Sequence, residues 1–115
     1  MSAVWNAPQQ RRYERVPFHC RATISLPPAP GSVAAHSIDI SRGGVGLVTF
    51  ASPKAGSAVS IAFVLNVQGR ERIERVVGRV VALRADVEGN RVSVEFNEPL
   101  DRLKTPLLMA KVVEE

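Results

Sequence analysis

Apolar residues at every second position dominate this sequence and restrict what it can fold into. From Val16 the pattern is unbroken: Val16, Phe18, Cys20, Ala22, Ile24 and Leu26 alternate with Pro17, His19, Arg21, Thr23 and Ser25. Side chains two apart share a face of an extended chain, so this run predicts a strand with one face buried. Similar runs cover Val33 to Ile40, Val45 to Phe50, Val59 to Val67, Arg72 to Leu83 and Val92 to Phe96. Turn-forming segments separate them: Pro27 to Ser32, Ser41-Arg42-Gly43-Gly44, Ser52 to Gly56, Gln68-Gly69 and Glu88-Gly89-Asn90. The fifth run loses its alternation around Gly78, which predicts a bulge or a sharp bend there. The period then changes: Leu100, Leu103 and Leu107 recur at helical spacing, and Thr105-Pro106 suits a helix cap and first position. A short turn followed by a short helix, or one kinked helix, is expected. Six short antiparallel strands with tight turns predict a mainly β chain, a small closed barrel with a C-terminal helix.

Composition excludes several classes. A chain of 115 residues makes one domain with a single modest core. Its 45% hydrophobic and 23% charged residues are those of a folded globular protein. Aromatics at 5% are too few for a base-stacking platform of the kind single-strand binders use. The formal charge of +4 leans toward an anionic partner but is too small to establish nucleic-acid binding, and nucleic acid is not the partner expected. Most of the cations are arginine, the residue for two-pronged recognition of phosphate or guanine. Cys20 is the only cysteine and falls on the apolar face, so no disulfide framework or thiolate cluster is expected. No apolar run is long enough to span a membrane and no signal pattern opens the chain, so the expected location is cytoplasmic. Residues 1–10 lack periodicity and are expected to be a flexible tail, leaving 11–113 as the domain.

Two polar motifs interrupt the alternation. Asp39-Ile40-Ser41-Arg42-Gly43-Gly44 joins the second and third runs. By strand parity Asp39 and Ser41 should share the outer face while Ile38 and Ile40 enter the core. The segment also reads as an ordinary hairpin corner, since Asp, Ser and Gly are common turn residues. Upstream, Arg11 and Arg15 form Arg-x-x-x-Arg immediately before the first strand, a spacing that Arg75 and Arg79 repeat by chance. His19 and His36 could be drawn with Asp39 and Ser41 as a hydrolytic triad. His36 and Asp39 differ in parity, however, and no nucleophile elbow or oxyanion loop accompanies them, so no enzyme is expected. Two histidines without a cysteine pair do not suggest a zinc site.

Taken together, the motifs resemble the signature of the PilZ domains, receptors for the bacterial second messenger cyclic di-GMP. That signature is Arg-x-x-x-Arg before the first strand, then Asp/Asn-x-Ser-x-x-Gly, matched here by Arg11 and Arg15, then Asp39, Ser41 and Gly44. The surrounding Arg-Val-Pro-Phe and Asp-Ile-Ser-Arg-Gly-Gly-Val-Gly-Leu are similar to the family as well. The resemblance spans about residues 11 to 112 and implies a PilZ-like, split-barrel fold with six strands and a C-terminal helix. It implies cyclic di-GMP as the ligand, no cofactor, and a protein partner that reads the liganded surface. The residues implied are Arg11, Arg12, Arg15, Asp39, Ser41, Gly43 and Gly44. A guanidinium meets the O6/N7 edge of guanine with two parallel hydrogen bonds, and a carboxylate such as Asp39 accepts from the N1/N2 edge. Arg11, Arg12 and Arg15 would grip such an edge and the phosphates, Ser41 would donate to a phosphate oxygen, and Gly43 and Gly44 would keep the approach clear. The arginine segment is expected to close over the ligand on binding. Two departures stand out: Ala82, Leu83 and Arg84 replace a Trp of some members, and Ser93 replaces a common glycine. The competing expectations are a structural or adaptor barrel that contacts only protein, and a small basic barrel for RNA or DNA.

Overall fold

The computed structural model of the protein describes residues 13–113. The expected tail, together with Arg11 and Arg12, lies outside the described residues. Among the described residues seven strands and one helix follow in order: β1 (Val16–Pro17), β2 (Arg21–Ser25), β3 (Val33–Ser41), β4 (Gly44–Thr49), β5 (Ala58–Val67), β6 (Arg70–Asp86), β7 (Gly89–Phe96) and α1 (Pro106–Val113). Every pairing is antiparallel. The order β3-β2-β5-β6-β7-β4 closes on itself through a β3–β4 pairing, making a six-stranded barrel, while β1 adds to β3. Closure leaves none of those six strands an unpaired edge, and the inward residues of each strand meet in one core. Ile24, Ile40, Leu47, Ile61, Phe63 and Val94 are wholly buried there. Leu100, Leu108 and Met109 from the C-terminal segment join the same cluster.

The expected mainly β barrel with a C-terminal helix is the observed fold. Its details differ in four places. The first run is not one strand: it breaks after Pro17 and resumes at Arg21. Ile38 does not enter the core, because a bulge between Ser37 and Asp39 turns it outward and gives the inward place to Ser37, which is fully buried. The bulge expected at Gly78 lies further on, between Val80 and Ala82. Gly78 is small for a different reason: a Cβ there would run into the Glu95 carbonyl oxygen of β7. Leu103 is 92% exposed, so the helical spacing of the three leucines does not mark one helix.

Residues 101–104 form a turn, in which the Asp101 carboxylate accepts the Leu103 and Lys104 amides, each at 2.7 Å. Those two amides hold the Asp101 carboxyl below its ordinary range. The helix then starts at the Thr105-Pro106 pair, with the Thr105 carbonyl accepting the Met109 amide. The Thr105 hydroxyl bonds back to Asp101 and does not cap. Glu74 of β6 caps instead, its two oxygens accepting the Leu107 and Leu108 amides at 2.9 Å. Pro106 has no N–H, so this buried carboxylate accounts for the remaining donors of the first turn.

Candidate functional site

The site is built around an irregularity in β3. Val16 pairs with Ile40 and Pro17 with Asp39, whereas Arg21 pairs with His36, a register one residue out of step. Ser37 bridges the mismatch: its hydroxyl donates to the Phe18 carbonyl at 2.7 Å and accepts the Cys20 amide at 2.9 Å. The chain between β1 and β2 thus keeps its hydrogen bonds although its ladder is interrupted. Beyond the bulge the parity of β3 is reversed, so Ile40 faces the core and Asp39 faces out.

There Asp39 meets Arg15, the last residue before β1. Arg15 Nη1 donates to Asp39 Oδ1 at 2.8 Å, with the side chains 17% and 37% exposed. Half-exposed ion pairs of this kind contribute about 0.2–1 kcal/mol, so the pair is a geometric device more than a source of stability. Gly46, opposite Asp39 on β4, makes room for it. A Cβ at Gly46 would lie 2.7 Å from Asp39 Oδ1 and 3.6 Å from Arg15 Nη1. Among the described residues, Asp39 Oδ2 carries no hydrogen bond. A groove of about 380 Å³ opens beside the pair, with Gly46 and Ser93 in it. Ala82, Leu83 and Arg84 line its far side together with Arg91. The two places where the sequence departs from the family signature therefore lie in the groove. Gly46, Arg84 and Arg91 are groove residues that sequence reasoning missed. Asp39-to-Gly46 register was available only after the bulge was known, and Arg84 and Arg91 fell just outside the alternating runs that end at Leu83 and begin at Val92, although both lie within strands.

The corner itself behaves as a turn. Ser41 is only 5% exposed, and its hydroxyl accepts the Gly43 and Gly44 amides at 3.2 and 3.1 Å. Gly44 is buried, and a Cβ there would strike the Val94 carbonyl oxygen of β7, so tight strand packing already requires glycine. Gly43 lies under the Tyr13 ring, 2.8 Å from Cδ2 to the place of an added Cβ, and the Arg42 guanidinium sits 5.9 Å from the centre of that ring. Arg42 also ties the corner to the C-terminal segment, its Nε donating to the Leu100 carbonyl at 3.1 Å. Arg15 and Asp39 are thus brought together at the groove, Ser41, Gly43 and Gly44 form the adjoining corner, and Arg11 and Arg12 lie outside the described residues.

The parity argument against His36 and Asp39 fails, since the bulge puts both on the outer face. The histidine stacks instead on His19, ring centres 6.1 Å apart, while Asp39 is held by Arg15 and Ser41 by its own turn. Burial pushes the pKa of Cys20 up, which disfavours the thiolate a nucleophile needs. Among the described residues no three His, Cys, Asp or Glu side chains are grouped to hold a metal ion, and no helix is long and apolar enough to cross a membrane.

The PilZ domain family model matches residues 9–108, nearly the whole chain. The chain belongs to the PilZ domain family. No curated relative matches the sequence. Solved PilZ domains and one longer protein share the fold. The inhibitor of motility MotI (DgrA) of Bacillus subtilis superposes with a TM-score of 0.69 at 21% identity, over 88% of this chain and 49% of that one. The chain thus spans about half of that protein. The PilZ domain of YcgR from Escherichia coli, solved with c-di-GMP, gives 0.66 at 18% identity over 87% of each chain. The PilZ domain of CeSA from a cellulose-synthesizing bacterium gives 0.58 at 21% identity, over 88% of this chain and 96% of that one.

Proposed function

We propose that this PilZ domain is a receptor, not an enzyme, and that it binds cyclic di-GMP through Arg11, Arg12 and Arg15 of the lead-in and Asp39, Ser41, Gly43 and Gly44 of the β3–β4 corner. The observation that carries this reading is the Arg15–Asp39 pair, 2.8 Å apart at the edge of a groove large enough for a base. A guanidinium and a carboxylate side by side present the donors and the acceptor that the two edges of guanine require. The PilZ domain of YcgR, solved with c-di-GMP, supports the choice of ligand. Asp39 would accept through Oδ2, leaving Oδ1 to hold Arg15. Ser41 would donate its hydroxyl proton to a phosphate oxygen, in place of its long 3.5 Å contact with the Gly44 carbonyl. Four or five charge-assisted contacts of about 1.5–3 kcal/mol each reach roughly micromolar affinity after ordering costs.

The binding unit is residues 11–113, acting in the cytoplasm. Ligand draws the segment before Val16 over the groove, and the reshaped surface is read by a protein partner. Equal protease protection of residues 5–16 with and without cyclic di-GMP would remove the closure step. The reading as a whole is tested by titration calorimetry with cyclic di-GMP, with GMP and cyclic di-AMP as controls, on the wild type and Arg15→Ala. Selective binding lost in Arg15→Ala is the expected result. No heat from the wild type, together with no ligand-induced rise in melting temperature, refutes it. A second reading, an adaptor barrel without ligand, is favoured by one observation: the turn at Ser41 and the packing at Gly44 use two motif positions for the fold alone.

A further inference from the structure

On the open face beside the Arg15–Asp39 pair, cross-strand partners fall into rows. One row runs Asp39, Gly46, Ser93, Ala82 over β3, β4, β7 and β6. Past Asp39 it contains nothing larger than serine, so it forms a shelf across four strands, roughly 14 Å from first to last at ordinary strand spacing. The next outward row on one side runs His36, Val48, Arg91, Arg84. Arg84 and Arg91 are direct partners across β6 and β7, so two cations stand with Cβ atoms about 5 Å apart, an arrangement that costs stability when nothing neutralises it. Arg91 has Asp86 at 3.6 Å; among the described residues Arg84 has no ion-pair partner. Both line the groove that Arg15 and Asp39 line from its other side.

The geometry points to Arg84 and Arg91 as a second cationic wall, one that receives a phosphodiester of the nucleotide while a base lies on the Gly46–Ser93–Ala82 shelf. This rests on the cyclic di-GMP reading above and assigns the half of the ligand that the two sequence motifs do not reach. A cyclic dinucleotide carries two phosphates on one small ring. Arg15 meets the ligand at the β3 end of the shelf, and Arg84 and Arg91 meet it at the β6–β7 end. The like-charge pair is unfavourable in the empty protein and becomes favourable when an anion sits between the guanidiniums. Ser93, without a larger side chain, leaves the shelf open for a flat ring.

The test is titration calorimetry with cyclic di-GMP on the wild type, Arg15→Ala, Arg84→Gln, Arg84→Lys and Ser93→Leu, with thermal melts of each protein without ligand. Arg84→Gln is expected to weaken binding about tenfold or more, and Arg84→Lys to retain most of it, because a phosphate accepts a point charge. Ser93→Leu fills the shelf without touching a charge and is expected to weaken binding as well. The melting temperature of ligand-free Arg84→Gln should equal or exceed that of the wild type, since a repulsion has been removed. A ligand-free Arg84→Gln that melts lower, or one that binds as tightly as the wild type, overturns the inference. So does undiminished binding by Ser93→Leu. If Arg15→Ala alone loses binding, the receptor reading stands and only the second wall falls. A wild type that does not bind overturns both.

Discussion

Two alanine substitutions two residues apart on β4 should separate a glycine that serves the fold from one that serves the site. At Gly44 an added Cβ runs into the Val94 carbonyl oxygen, and both strands are held in a closed ring that has no room to part. Overpacking against backbone costs about 1–3 kcal/mol, and the rigidity here argues for the upper end. For a domain of this size that lowers the melting temperature by on the order of 10 °C. At Gly46 the Cβ meets only the ends of side chains: Asp39 Oδ1 at 2.7 Å, its Cγ at 3.4 Å and Arg15 Nη1 at 3.6 Å. The carboxylate can rotate away, which costs the ion pair about 0.2–1 kcal/mol. Replacing glycine by alanine returns about 0.4–1 kcal/mol by restricting the unfolded chain. Gly46→Ala should therefore melt close to the wild type, yet bind cyclic di-GMP about tenfold more weakly or worse, because Asp39 no longer faces the groove. Paired thermal melts and calorimetric titrations decide it. Wild-type affinity in Gly46→Ala, or a melting temperature as low as that of Gly44→Ala, would refute the reasoning.

Three further outcomes follow from the same structure. Glu74→Ala leaves the Leu107 and Leu108 amides without their buried acceptor and should cost about 1–3 kcal/mol in urea unfolding, while Glu74→Gln retains part of that; equal stability of Glu74→Ala and wild type would mean the helix is capped otherwise. Ser37→Ala removes the hydroxyl that joins the Phe18 carbonyl to the Cys20 amide and should cost a similar 1–3 kcal/mol, with faster amide exchange at Cys20 as its local signature; unchanged exchange there would count against the bridge. The Lys104 and Leu103 amides hold the Asp101 carboxyl below its ordinary value, so its contribution to stability is complete above that ordinary value and is lost as pH falls through the lower folded value; the melting-temperature gap between wild type and Asp101→Ala should close in that acid window, and a gap that persists there would show that charge is not the cause.

How much of this was legible in the sequence depends on whether the information was periodic. Alternation in runs such as Val59 to Val67 needs only the two faces of a strand, and β5 spans Ala58–Val67 with Val59, Ile61, Phe63 and Leu65 buried. Gln68-Gly69 likewise signalled its hairpin: both residues have positive φ, and Val67 pairs with Arg70 across them. The helix start was readable in Thr105-Pro106, but its cap was not, because Glu74 lies 33 residues away on another strand. Leu103 misled for a related reason: its spacing from Leu100 is helical, while Asp101 holds those residues in a turn. Parity failed at Ile38 because a side-chain hydroxyl, Ser37, takes a place in the ladder that a strand pattern reserves for backbone.

That failure and the candidate site have one cause. In an uninterrupted β3, residues 37 and 39 would share a face, and Ser37 is the fully buried one. Without the bulge, the parity that buries Ser37 would have carried Asp39 inward too and left Arg15 without its partner. The extra residue reverses the parity beyond Ser37, which sets Asp39 outside, opposite Gly46 and beside Arg15. It also puts Asp39 at the head of the row that continues through Ser93 to Ala82, close to the second bulge of the sheet at Val81. The groove therefore lies between the two register shifts that β3 and β6 carry, and its residues are those whose direction a shift decides. Motif spacing in the sequence records which residues are present. The two bulges determine where those residues point, and they depend on pairings between strands that no local pattern contains.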